Sequence, residues 1–366
     1  MKIGARIAKI VLSLCLILGH VSAYARQDLV PGSRYTSGRA AALGDAYLPL
    51  GEDGASGLFY NPAGIAKIKK FQAEPMNLAL YGNAGFANSF EATSAYKSTD
   101  LSEYKETLLK SNSYNGLGAQ ILPSFSTRGF AFGLLMSSQV GAQHDPTADT
   151  IRYKSTYQFI PAIGTGVSLA RGIVRLGYSL QWVNKAEGDI TVPTAQADGY
   201  DQNLPQGSGF SHTIGAALTF PTMYLPCFNL VARNVGNTNY GGGSLVPFSK
   251  TSPGGPAVEK MSLDGSFSLQ PKIGNGVYTN LVAELRDMTN ISKLSMLERA
   301  AFGAELSFRD AFYIRAGFGS AYPAAGIGFR QKDNEFSLTW YSEEIGGGLR
   351  GQRDSRFMFH YRIGAF

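Results

Sequence analysis

The sequence predicts an all-β protein, a transmembrane antiparallel β-barrel of about fourteen strands with an N-terminal hatch in its lumen. Three observations carry this expectation. Period-two alternation of apolar and polar residues runs through most of the chain after residue 71. Many alternating stretches run about nine to twelve residues, as a tilted membrane strand requires, whereas strands of soluble proteins average about five or six. Their polar faces carry small residues and a few charges, as a water-facing barrel interior does.

Taken in order, the chain opens MKIGARIAKIVLSLCLILGHVSAYA. Lys2, Arg6 and Lys9 form a basic region, Ile10 to Leu18 an apolar run, and Ala23-Tyr24-Ala25 a small-residue cleavage site. Residues 1–25 are thus expected to be a secretory signal peptide. The apolar run is too short to span a bilayer comfortably. Removing residues 1–25 takes three basic residues and no acid from a formal net charge of +6, leaving +3. That charge is ordinary for this length and gives no reason to expect a nucleic-acid partner. Cys227 is then the single cysteine, which excludes an internal disulfide. His144, His212 and His360 lie far apart and show no metal-ligand spacing, so neither a metal nor another cofactor is expected.

Residues 26–70 form the second unit. Ser37 to Lys67 reads SGRAAALGDAYLPLGEDGASGLFYNPAGIAK. It is dense in Gly and Ala, so backbone can pack close to backbone. It is too broken by Gly and Pro for a good helix, and it lacks strand alternation. It ends in Asn61-Pro62-Ala63-Gly64, a turn in which Pro62 fixes φ and removes a donor.

Residues 71–366 form the barrel. Val174, Leu176, Tyr178, Leu180 and Trp182 oppose Arg175, Gly177, Ser179 and Gln181 without exception. Met261 to Gln270, Phe302 to Phe308, Phe312 to Gly319, Phe336 to Tyr341 and Phe357 to Ile363 repeat the pattern. This places Arg175, Glu305, Arg315, Arg330 and Arg362 in the lumen, along with His360. Tyr153, Tyr157, Trp182, Trp340 and Tyr361 fall near strand ends, where an interfacial aromatic girdle belongs. Short connections are expected at 127–128, 171–172, 220–226, 271–275, 309–310 and 332–334, and belong on the periplasmic side. Long loops are expected at 97–115, 141–149, 184–208, 236–259, 286–298 and 342–355, with 320–323 an unusually short member of that set. Fifteen stretches can be counted from Pro75 on. An even number follows if the two weakest, 75–82 and 86–96, are merged or one joins the plug.

Gly38-Arg39-Ala40, Gly44-Asp45-Ala46, Asp53-Gly54-Ala55-Ser56 and Asn61-Pro62-Ala63-Gly64 resemble the N-terminal hatch of FadL-type outer-membrane transporters. The broader superfamily includes PorV-like and TraF-like barrels. Residues 229–236, 284–290 and the ending around 341–356 are similar to those two branches. The resemblance implies a bacterial outer-membrane barrel of fourteen strands plugged by its N-terminus. In the transporter branch it implies passive uptake of long-chain fatty acids or other hydrophobic molecules. In the other branches it implies an anchor or partner for secreted or envelope proteins. Gly44, Asp45, Asp53, Asn61, Pro62, Ala63 and Gly64 would be the gating positions. Asp45 and Asp53 could equally cap turns or pair with barrel arginines such as Arg175 or Arg315. The expected partners are outer-membrane lipids, the barrel-assembly machinery that reads a terminal aromatic such as Phe366, and a hydrophobic ligand or a secreted protein. No Ser/His/Asp or Cys/His constellation is visible locally, so an enzyme is not expected.

Overall fold

The computed structural model describes residues 34–51, 53–85, 114–196, 204–346 and 349–365. The expected signal peptide, stretch 86–96, most of loop 97–115 and Phe366 lie outside the described residues. Among these residues no helix is long and apolar enough to cross a membrane.

The barrel contains fourteen strands, two of them interrupted by proline. They are β1 (Gln72–Asn83), β2 (Asn115–Ile121 and Ser124–Thr127), β3 (Phe130–Asp145), β4 (Thr150–Leu169), β5 (Val174–Pro193), β6 (Gln206–Thr219) and β7 (Cys227–Arg233). The ring continues with β8 (Ser262–Leu269 and Lys272–Gly274), β9 (Val277–Leu285), β10 (Ala300–Phe308), β11 (Phe312–Gly319), β12 (Tyr322–Gln331), β13 (Asn334–Glu344) and β14 (Arg353–Ala365). Each strand pairs antiparallel with the next, and β14 pairs with β1 to close the ring. Pro123 in β2 and Pro271 in β8 lack the N–H that the ladder needs; β2 keeps register with β3 across the break but slips by one against β1, and β8 keeps register with β9 as far as Lys272. Closure leaves no sheet edge, which a bilayer requires.

Alternation sorts side chains as the sequence predicts. Leu176, Ile214, Leu230, Phe302, Ile314, Leu338 and Phe359 are exposed on the outer face. Their neighbours Arg175, Thr213, Asn229, Glu305, Arg315, Ser337 and His360 are buried inside. The stacked outer ring of apolar side chains is the lipid-facing band of a membrane barrel.

Connections 128–129, 170–173, 220–226, 309–311 and 332–333 are short and share one end of the barrel with both ends of the sheet at Gln72 and Ala365. By the rule for outer-membrane barrels this is the periplasmic end. A run of phenylalanine contacts lies toward it. Ring centroids of Phe308–Phe312, Phe312–Phe329, Phe329–Phe336 and Phe336–Phe359 are 5.9, 5.0, 6.4 and 5.2 Å apart. Tyr153, expected in the girdle, lies toward the loop end of β4 and is buried, 1% exposed.

The opposite end corrects three loop expectations. Residues 141–149 are mostly strand, since β3 and β4 pair as far as Asp145 and Thr150, leaving only 146–149 as the turn. His144, expected in a loop, is therefore on β3 and buried. Likewise β5 and β6 stay paired up to Ala186 and Gln206, shortening the loop expected at 184–208. The β13–β14 ladder continues to Glu344 and Arg353, narrowing that expected at 342–355.

Candidate functional site in the plugged lumen

Residues 34–51 and 53–70 lie inside the ring of strands. The segment folds as three short helical turns: α1 (Gly38–Ala42), α2 (Gly54–Phe59) and a 3-10 turn (Pro62–Lys67). Helix is thus present where a broken chain was expected, in pieces of five or six residues. Such pieces are too short to persist alone and depend on caps and packing. Each has its cap. Ser37 accepts from Ala40 N at 3.1 Å, Asp53 from Ser56 N at 2.6 Å, and Asn61 from Ala63 N at 3.0 Å. Pro62 occupies the first helical position, where its missing N–H costs nothing.

Small residues let this segment touch the wall. A Cβ on Gly177 or Gly215 would collide with the Asn61-Pro62 turn, and one on Gly317 or Gly319 with Leu43 and Gly44. Gly44 holds φ +65° and lies against the Phe318 backbone. Tyr35, Tyr47, Leu58, Phe59, Tyr60 and Ile65 form an apolar centre that also packs on Leu122, Leu135 and Ile160 of the wall.

Polar side chains then fasten the segment around the ring. Arg39 forms a bidentate pair with Glu305, donating to the two carboxylate oxygens at 2.8 and 2.6 Å. Arg315 donates to Glu305 at 2.7 Å and to Glu335 at 2.9 Å. Arg330 and Arg362 reach Glu335 at 2.7 and 3.2 Å. Arg362 also meets Asp53 at 3.1 Å and Glu74 at 3.2 Å. The result is one charged chain from β10 through β14 to the plug. A second clamp lies across the lumen. Asp45 pairs with Arg286 at 2.9 Å and accepts from the Tyr60 hydroxyl at 3.0 Å. Glu284 accepts the N–H groups of Tyr47 and Leu48 at 3.0 and 3.2 Å. Arg233 pairs with Asp264 at 2.6 Å and donates to the carbonyls of Phe59 and Tyr60. Asn61 donates to Asn229 at 3.0 Å.

The structure thus brings Asp53, Glu305, Arg315, Arg330 and Arg362 into one network and places Asp45 and Asn61 on the facing clamp. The barrel arginines that hold Asp45 and Asp53 are Arg286 and Arg362, in place of the expected Arg175 and Arg315. Arg175 sits beneath the Asn61-Pro62-Ala63-Gly64 turn, where Ala63 packs on Ala217 and Cys227. Sequence reasoning did not single out Arg34, Arg233, Asp264, Glu284, Arg286 or Glu335 as site residues. A signal existed for several of them. Glu284 and Arg286 stand two apart, as do Asn229, Val231 and Arg233, so period two assigns them to the lumen.

Toward the loop end, Arg34 donates to Gln181, Ser211, Asn234 and Glu259. Glu259 belongs to the segment between β7 and β8 and also meets Lys185 at 3.2 Å and the Tyr240 hydroxyl at 2.6 Å. Burial pushes the Glu259 carboxyl up, but Arg34 and Lys185 outweigh it and hold it down at about 2.

Two cavities stand out. One, about 720 Å³, is an apolar hollow on the outer wall over β1 and β11 to β14, lined by Leu80, Ile314, Ile327, Leu338, Phe357 and Phe359. The other, about 830 Å³, is polar and lies between the plug and the periplasmic turns.

No protein-family model matches the sequence, and no curated protein resembles it significantly. Solved structures do. The monoaromatic hydrocarbon channel TodX, as a mutant lacking S2 and S3, aligns over 90% of this chain and 98% of its own, with a TM-score of 0.55 and 11% identity. The Pseudomonas putida toluene transporter TodX aligns over 92% of this chain and 99% of its own, with a TM-score of 0.50 and 12% identity. A Pseudomonas aeruginosa FadL homologue covers 92% and 99%, with a TM-score of 0.47 and 11% identity. At such identities the likeness is one of fold. By fold, the chain is a closed fourteen-stranded antiparallel β-barrel similar to the TodX channels.

Proposed function

We propose that this chain conducts small hydrophobic molecules passively across the bacterial outer membrane, after export directed by residues 1–25. The observation that carries the reading is a fourteen-stranded ring with its own N-terminal segment lodged in the lumen, a fold it shares with hydrocarbon channels. In this reading residues 37–67 act as a hatch. Gly44, Asp45, Asp53 and the Asn61-Pro62-Ala63-Gly64 turn are the points at which it lets go of the wall. Long-chain fatty acids are one candidate cargo, and the polar lumen does not single them out.

A second reading has its own support. The plug is tied to β7, β9, β10, β13 and β14 by buried hydrogen bonds and ion pairs, and the segment between β7 and β8 is held by a Thr238–Glu259 bridge. A lumen locked in this way suits a closed barrel that anchors secreted or envelope proteins.

One experiment separates the two. The purified protein is reconstituted into liposomes, and entry of a fluorescent long-chain fatty acid and of toluene is followed, while mass spectrometry identifies what co-purifies. Conduction predicts protein-dependent entry of at least one probe. A stoichiometric protein partner with no bound lipid and no entry would sink it in favour of the anchor.

A further inference from the structure

The polar cavity beneath the plug is lined by nine Arg or Lys residues and three Asp or Glu residues. Part of that charge is internally balanced. Arg39 and Arg330 face Glu305 and Glu335, and Arg362 takes up Asp53 and Glu74. That leaves Asp333 as the one acidic lining residue outside those pairs. Lys69, Lys70, Arg171 and Lys332 are exposed around the mouth and form no ion pair among the described residues.

Arg175 stands further in, and its situation is different. It is 9% exposed, and its guanidinium has no carboxylate partner among the described residues. Its acceptors are neutral: the Thr219 hydroxyl at 2.7 Å, the Gly172 carbonyl at 3.3 Å and the Cys227 sulfur at 3.6 Å. Its Nε has no partner among the described residues. Arginine stays charged in any protein, and a buried charge without a counter-ion is costly. A guanidinium so placed, at the inner wall of a cationic cavity that opens to the periplasm, is short of one oxyanion.

We propose that this vestibule is a binding site for a carboxylate or phosphate group presented from the periplasmic side. Arg175 contacts the anion, and Lys69, Lys70, Arg171 and Lys332 draw it in. Planar guanidinium donors match either group. The site lies on the periplasmic side of the plug, so it does not require the hatch to open and stands or falls apart from the conduction reading.

The test uses the full-length mature protein in zwitterionic nanodiscs, titrated calorimetrically with inorganic phosphate, with octanoate and with neutral octanol. The expected result is saturable binding of phosphate, octanoate or both, and at least about tenfold weakening between low and physiological salt. K69Q/K70Q should weaken it severalfold, and Arg175→Gln should abolish it. Binding of phosphate alone marks a phosphate-bearing ligand, and of octanoate alone a carboxylate. Should Arg175→Gln fail to fold, the exposed double variant decides by itself. Absence of saturable binding of either anion, octanol binding as well as octanoate with phosphate not bound, or affinity unchanged in K69Q/K70Q would each overturn the proposal.

Discussion

Glu305 has two guanidinium groups aimed at it, one from the plug and one from the wall, and is itself fully buried. Replacing it by Gln keeps shape and removes the charge that both arginines face. Breaking one side of a buried pair costs about 3–5 kcal/mol. Glu305→Gln should lower the urea midpoint of the refolded barrel accordingly, while Lys332→Gln, exposed at the mouth, should leave it within about 0.5 kcal/mol. Gly44 gives a different kind of sensitivity. Its positive φ and its contact with the Phe318 backbone leave no room for a methyl group. Gly44→Ala should therefore push α1 off β11 with little effect on the wall, read as faster protease cleavage within residues 37–67 in folded protein.

Among the elements, the segment between β7 and β8 is one whose docking depends on pH. Its Glu259 carboxyl, facing Arg34, Lys185 and Tyr240, is held at about 2 in the folded chain. A depressed carboxyl contributes stability above its unfolded value of about 4.3 and loses it as pH falls through the folded value. Protection of the 234–261 amides, taken relative to their intrinsic exchange rates, should be high at pH 7, fall from about pH 4 and be lowest near pH 2. Exchange in β10 to β14 gives the internal reference. These elements also show what the sequence could express. Where one face meets lipid and the other the lumen, alternation is strict, so β5, β8 and β10 to β14 are legible residue by residue. Where β3 continues above the membrane, alternation fades, and Gln143, His144 and Asp145 look like loop. Alternation also assigns Asp45 and Asp53 no partner. Their arginines lie 241 and 309 residues away, and only ring closure selects Arg286 and Arg362 over other inward cations.

At the scale of the molecule, the plug is the main obstruction that the described residues place in the lumen. Deleting Ser37 to Lys67 should raise single-channel conductance in planar bilayers, provided the fourteen strands still refold by circular dichroism. Unchanged conductance in a folded barrel would refute a role for the segment in closing the pore. The seam between β1 and β14 adds a further consequence. The segment made first is bonded to strands made last: Arg362 holds Asp53, and the Thr339 hydroxyl donates to the Gly38 carbonyl across 301 residues of chain. Such distant contacts pay their loop-closure entropy before they return anything. The contacts that hold the N-terminal segment are therefore complete only once the seam has closed. The final hairpin, in pairing with β1, fastens both the wall and what the wall encloses.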